Sequence, residues 1–297
     1  MAGSQKPSSG VPASWAIVAL GRLGGMELTV QSDLDLVIVY DDPDDPSDPT
    51  ARWQHFVEHF QSFLTQPTSE GVAYRIDTRL RPEGTKGPLA IPMPAFLRYL
   101  AERAERWERM AWTRAQILVG SSILSQRIMH AAAEFVYGRW DPTLPAYMHT
   151  VRLRQERELA KQEAARLEFK IGSGGLADID FVVQLVQIRE GNSRREFRLP
   201  GTRRLLAAAP ETRYITPEEF ALLLGAHRFL TLFETFARLD AATNVTWVAS
   251  DGPALGPLGK RMGFEDPSGE RLLSAYQETT SRVRAIYTKV FERLAEE

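Results

Sequence analysis

Residues 15–40, WAIVALGRLGGMELTVQSDLDLVIVY, set the tightest limits on what this chain can fold into. Two apolar runs, 16–20 and 36–40, read as neighbouring buried strands. Gly21, Gly24 and Gly25 lie between them, followed by Ser32, Asp33 and Asp35. Glycines let a backbone approach a ligand closely and present its N–H groups, which suits a phosphate. Asp33 and Asp35 are two apart at the start of a strand, so their side chains share a face. Paired carboxylates beside a glycine-rich turn suit a divalent cation and a nucleoside triphosphate, because Mg²⁺ prefers carboxylate oxygens combined with substrate phosphates. Each half also has a plainer reading, Gly-Gly as a turn and S-D-x-D as a cap or solvated strand end. Together they favour the metal, since an unpaired charge beside an apolar strand is expensive and a cation relieves that cost.

Further along, residues 41–50 (DDPDDPSDPT) are dense in Asp and Pro and read as a solvated loop, with a spacing that matches no EF-hand. Phe56, Val57, Phe60, Phe63 and Leu64 recur at helical spacing over 53–64, which predicts a helix laying that face on the sheet. His55 and His59 stand four apart on it; no third ligand accompanies them, and they read as a polar face. Residues 71–81, GVAYRIDTRLR, alternate Val72, Tyr74 and Ile76 with Arg75, Asp77 and Arg79, predicting a half-buried strand. Asp77 is then either part of a salt-bridged strand face or a third carboxylate for the metal pair, with Arg79, Arg81 and Lys86 neutralising phosphates.

From residue 95 onward the pattern is helical, over 95–106, 107–119, 121–137, 146–168, 176–190, 202–208, 217–239 and 269–294, with breaks at Gly138, Pro142, Pro145, Gly191 and Pro200. Charges of both signs over 156–166 read as the solvent face of a long helix. Residues 169–180, FKIGSGGLADID, form a glycine-rich turn entering an apolar helix. Asp178 suits the first turn as a partner of the helix dipole, whereas Lys170 with Gly172, Gly174 and Gly175 suits an anion at the helix N-terminus. The functional alternative expects this turn to dock on the catalytic face. The chain therefore reads as α+β, with a leader over 1–14, an α/β unit over 15–120 and a helical bundle over 121–297.

Composition removes several function classes. The 297 residues are 43% hydrophobic and 25% charged, and 36 basic against 38 acidic residues give a net charge of -2. That balance offers no global pull toward nucleic acid or an anionic membrane. With no cysteine, disulfides, thiolate metal sites and thiol catalysis are excluded, and a reducing compartment is suited. No apolar run approaches the roughly 20 residues of a bilayer span, and residues 1–14 lack an apolar signal core. A cytoplasmic protein is the expectation.

Five segments, taken together, resemble a known family. GRLGGMEL (21–28), SDLDL (32–36), IDTRLRPEG (76–84), WERMAWTRAQI (107–117) and KIGSGGLADIDF (170–181) occur in the order and spacing of the glutamine synthetase adenylyltransferases. The resemblance implies a DNA polymerase beta-like nucleotidyltransferase domain followed by an all-helical bundle. It places Gly24 and Gly25 in the family's turn, Asp33 and Asp35 in its D-x-D pair, and Asp77 as its third carboxylate. It further implies two Mg²⁺ ions held by Asp33, Asp35 and Asp77, and ATP bound with the help of Gly24, Gly25, Ser32, Arg79, Arg81 and Lys170. Departures are Arg22 where lysine is common, Ala177 where one module often has arginine, and Asp180 where glutamate is usual.

Family members usually carry two such modules, one attaching AMP to a tyrosine of glutamine synthetase and one removing it by phosphorolysis. This chain holds one module and is expected to be a piece of a larger protein; its end after a helical stretch fits the C-terminal, adenylylating module. The resemblance thus implies Mg²⁺-dependent adenylylation of glutamine synthetase from ATP, in regulation of nitrogen assimilation, with a PII-type signal protein as a second candidate partner. Phosphorolytic deadenylylation on the same scaffold is the alternative. A regulatory module without turnover is a further one, opposed by the presence of all three carboxylates.

Overall fold

The computed structural model describes residues 14–41, 50–69, 71–72, 74–160, 165–251 and 253–296. Residues 1–13 of the expected leader, 42–49 of the Asp-Pro loop and 161–164 of the mixed-charge stretch lie outside the described residues. The two apolar runs pair as antiparallel strands β1 (Ser14–Ala19) and β2 (Leu34–Asp41), with Val18 opposite Val37, and the short α1 (Gly21–Gly24) turns between them. After α2 (Thr50–Thr65), β3 (Ile76–Asp77) and β4 (Ala90–Pro92) pair in parallel with successive parts of β2. Helices α3 (Met93–Glu102) and α4 (Glu108–Trp112) precede β5 (Gln116–Gly120), which closes the other edge of β1 and gives the order β3-β2-β1-β5.

A strand alternates its side chains between two faces, and both faces of β2 are covered. Leu34, Leu36, Ile38 and Tyr40 pack with Trp53 and Val57 of α2. Val37 and Val39 instead join Ala16, Val18 and Leu20 in a larger core that continues into the helices. Asp35 shares the odd-numbered face and is thereby directed toward the helical half. That half comprises α5 (Ser122–Tyr137), α6 (Leu144–Leu159), α7 (Leu176–Glu190), α8 (Thr202–Ala208), α9 (Pro217–Ala241), α10 (Leu255–Arg261) and α11 (Glu270–Ala295), with a small hairpin of β6 (Arg166–Glu168) and β7 (Trp247–Ala249).

Four expectations from periodicity are corrected. The helix over 107–119 ends at Trp112, because Ile117 and Val119 pair with Val18 and Ile17 and satisfy the edge of β1. The helix over 146–168 stops at Leu159, and 166–168 pairs with β7. The strand over 71–81 shrinks to Ile76–Asp77, leaving Val72 and Tyr74 exposed. Phe63, placed on the inner face of α2, is 79% exposed. In addition, α9 is long and apolar enough to cross a membrane, a property the sequence reading overlooked. Here it is a core helix, started by a Thr216–Glu219 capping box and burying Phe220, Leu223, Leu230 and Phe233.

The glycine-rich turn before α7 is held from three helices. Arg152 of α6, fully buried, donates to the Gly172 carbonyl at 2.8 Å and pairs with Asp178 at 2.7 Å. Arg284 of α11 reaches Ser173 Oγ at 2.6 Å and Asp178 at 3.2 Å. Asp178 accepts the Gly174 N–H at 2.7 Å, so beyond capping it is the counter-ion of two arginines. Gly174 has φ +71°, and a Cβ there would overlap the Thr280 carbonyl.

Breaking a buried pair strands a charge, whereas an exposed pair is screened by water. Arg152→Leu is expected to lower unfolding free energy by about 3–5 kcal/mol in urea denaturation. Arg154→Ala, which removes an exposed partner of Glu158, should cost less than about 1 kcal/mol.

Candidate active site

Asp35 and Asp77 stand in register on the parallel strands β2 and β3. Burial first, then the charges of Asp77 and Asp33, push the Asp35 carboxyl up to about 6, while Lys170 and Arg79 pull it back. Burial also acts on Asp77, but hydrogen bonds from Arg79 hold its carboxyl below the usual range. Arg79 donates its N–H to Asp77 Oδ1 at 2.8 Å and its guanidinium to Oδ2 at 2.5 and 2.8 Å. The neighbouring backbone is shaped around Asp35. Leu20 N–H donates to the Asp35 carbonyl at 3.0 Å, and Gly21 has φ +52° with no room for a Cβ, which would overlap the Asp35 carboxylate.

The glycines expected to cradle phosphate behave differently. Gly24 and Gly25 spend their N–H groups on Leu20 O at 2.8 Å and Gly21 O at 3.1 Å. A Cβ on Gly24 would strike the carbonyls of Arg114 and Ala19, and one on Gly25 would lie 3.2 Å from Gly201 Cα. These two residues serve close packing. Arg81, expected at a phosphate, is buried and turned inward, donating to the carbonyls of Thr78 at 2.8 Å and Gly87 at 3.1 Å. Ser32 accepts the Thr29 N–H at 2.9 Å and lines, with Asp33, Tyr74 and Arg75, a cavity of about 270 Å³. Lys170 is half-buried, and burial followed by repulsion from Arg22 holds its ammonium below its ordinary range. It lies close enough to Asp35 for its charge to lower that carboxyl.

Among the described residues, no three Asp, Glu or His side chains converge closely enough to hold a metal ion. Arg79 explains this for Asp77, since it engages both carboxylate oxygens. The donor chemistry nevertheless fits Mg²⁺: Asp35 is an oxygen donor crowded by two like charges and disfavoured as a lone anion. Asp77 would have to give up Arg79 to join such a set.

Residues that sequence reasoning left out of the site surround it. Buried Arg114 pairs with Asp180 at 2.5 Å and donates to Thr202 Oγ1 at 2.6 Å, and Thr202 in turn donates to Asp180 at 2.6 Å. Arg22 reaches Glu234 at 2.5 Å, and Glu234 pairs with Arg238 at 2.9 Å. The signal in the sequence for the second group is Glu234 and Arg238 four apart in a helix with a largely apolar middle.

Residues 2–131 match the family described as glutamate-ammonia ligase adenylyltransferase, and residues 146–291 match the one described as GlnD PII-uridylyltransferase. A bifunctional glutamine synthetase adenylyltransferase/adenylyl-removing enzyme of Xanthobacter autotrophicus is 31% identical over 96% of this chain and 29% of its own length. The chain belongs to the glutamate-ammonia ligase adenylyltransferase family. Enzymes of the same description from Bradyrhizobium diazoefficiens and Bordetella pertussis are 30% and 27% identical, over 93% and 94% of this chain and 28% and 32% of theirs. The chain thus spans under a third of the length of these relatives. In this family member the sheet half and the helical half are joined by the ion pairs Arg22–Glu234 and Arg114–Asp180.

Asp35 binds its proton more tightly folded than unfolded. Its contribution to stability is therefore complete below about pH 3.8 and lost as pH rises through about 6. A shift of that size corresponds to roughly 3 kcal/mol. In metal-free urea denaturation, the wild type is expected to lose stability relative to Asp35→Asn by up to that amount between pH 4 and pH 7. A difference independent of pH would remove the buried, crowded carboxylate from the account.

Proposed function

We propose that this chain transfers the adenylyl group of ATP to a tyrosine of glutamine synthetase, using Mg²⁺ held by Asp33, Asp35 and Asp77. The observation that carries the reading is the in-register pair Asp35 and Asp77, seated against a glycine that leaves the carboxylate its space. Bound there, Mg²⁺ supplies Lewis-acid stabilisation to the phosphates and to the attacking oxygen. In the reaction the tyrosine oxygen bonds to the α-phosphorus, the bridge to the β-phosphate breaks, and pyrophosphate leaves. The chain contributes charge placed in advance: Lys170 beside Asp35 and Arg79 beside Asp77 surround the triphosphate's path with cations. Arg114 and Asp180 brace the floor under α1, since Gly24 packs on the Arg114 carbonyl. A PII-type regulatory partner and a cytoplasmic setting belong to the same reading.

The relatives' names also include adenylyl removal, and the same carboxylates suit the attack of phosphate on an AMP-tyrosine bond. Incubation with Mg²⁺, labelled ATP and glutamine synthetase, beside a parallel reaction of adenylylated synthetase with phosphate, separates the two directions. Label transfer in the first arm is expected; label release in the second arm alone would reverse the assignment.

Asp33→Asn and Asp35→Asn are each expected to lower transfer by at least about a hundredfold while leaving the fold intact. Near-normal turnover in both would overturn the metal assignment. In this reading Asp77 would hold the ion that activates the tyrosine oxygen, so for Asp77→Asn turnover should fall more than equilibrium ATP affinity. Collapse of ATP binding along with the rate would place Asp77 at the triphosphate instead.

A further inference from the structure

The loop that delivers Ser32 and Asp33 to β2 is held in an unfavourable backbone conformation by the helical half. Met26 and Gln31, at its two ends, have φ of 55° and 58°, the left-handed region that side chains other than glycine disfavour. Such residues persist where surrounding contacts over-determine them. Here the contacts come from α9. Glu234 is fully buried, its two oxygens paired with Arg22 and Arg238. Both arginines then converge on one loop hydroxyl: Arg22 donates to Thr29 Oγ1 at 2.6 Å, and Arg238 donates to it at 3.4 Å and to Val30 O at 3.3 Å. Thr29 passes the constraint on. Its N–H donates to Ser32 Oγ at 2.9 Å, its carbonyl accepts the Ser32 N–H at 3.1 Å, and the two hydroxyls are 3.1 Å apart. Asp33 is the next residue. Thr29 also lines two cavities, one of about 270 Å³ beside Asp33 and one of about 290 Å³ lined by Arg22, Asp180 and His227.

We infer that Thr29 is a positioning residue, through which the Arg22–Glu234–Arg238 triad of the sheet–helix seam sets where Asp33 presents its carboxylate. The inference rests on the reading of Asp33 as a metal ligand. Glu234 fixes the two arginines, the arginines fix the Thr29 hydroxyl, and the short Thr29–Ser32 turn converts that anchor into an orientation of Asp33. Without the hydroxyl, the left-handed conformations at Met26 and Gln31 lose their tether and the loop relaxes. The carboxylate pair then no longer meets a cation in one geometry.

The test measures Mn²⁺ affinity by electron paramagnetic resonance and unfolding by urea for wild type, Thr29→Val, Thr29→Ser and Asp33→Asn. Valine keeps the shape and deletes the hydroxyl; serine keeps the hydroxyl. Thr29→Val is expected to weaken Mn²⁺ binding about tenfold, equivalent to ~1.4 kcal/mol, with Thr29→Ser close to wild type. If Thr29→Val binds Mn²⁺ like wild type while Asp33→Asn does not, the positioning role is overturned and the metal reading stands. If Asp33→Asn also binds like wild type, the metal reading falls and takes the inference with it. Should Thr29→Val fail to fold, Glu234→Gln reads the same coupling from the helical side. Unchanged affinity in folded Glu234→Gln overturns the inference, and weakened affinity supports it.

Discussion

Two half-buried carboxylates on adjacent strands are the constraint around which this molecule is arranged. Parallel pairing of β2 with β3 brings Asp35 and Asp77 into register, where like charges raise each other's cost. The fold offsets that cost unevenly. Asp77 receives a guanidinium from Arg79, two residues on in sequence and largely in water. Asp35 has no such hydrogen-bonded partner in its own strand. The cations that lower its carboxyl are Lys170, in a turn more than a hundred residues away, and Arg79. Part of the charge that offsets the sheet's carboxylates thus comes from the helical half.

That dependence gives the seam between the halves its character. A single apolar core runs from Ala16 and Val37 through Ile179 and Leu230, so the two halves share packing. Threaded through this core are ion pairs that apolar contacts cannot replace in direction: Arg114 with Asp180, and Arg22 with Glu234 and Arg238. A buried pair gains little net stability over well-packed apolar groups, because both charges must leave water. What it fixes is orientation, since hydrogen-bond geometry is directional and dispersion is not. Arg152, Asp178 and Arg284 act in the same way one layer deeper, holding the turn from which Lys170 extends.

Gly21 and Gly24 show why some of the site was legible in residues and some was not. Both glycines were visible in the sequence, and phosphate chemistry pointed to the Gly24–Gly25 pair. In the structure that pair is consumed by a helical turn and by contact with Arg114 and Gly201, while Gly21 makes room for the acid. Nothing local distinguishes these roles, because each depends on which distant atom occupies the space a side chain would need. Arg81 tells the same story: as one of a row of arginines it read as a phosphate ligand, yet its nitrogens close the 78–87 loop.

The amino-acid order by itself determined the β1–β2 pair, the face on which Asp35 lies, most of the helices and the family's ordered motifs. Period and composition are local properties, and strand alternation converts them directly into direction. Tertiary structure alone decided that 116–120 is a strand, because an unpaired edge of β1 outweighs a helical pattern in its neighbour. It also decided that the 71–81 strand forms only where β2 offers partners, at Ile76 and Asp77. It decided, finally, the charge partners of the site, Lys170 for Asp35 and Glu234 for Arg22. Electrostatic energy depends on distance through space, and residues 35 and 170 or 22 and 234 become neighbours only once the core has closed.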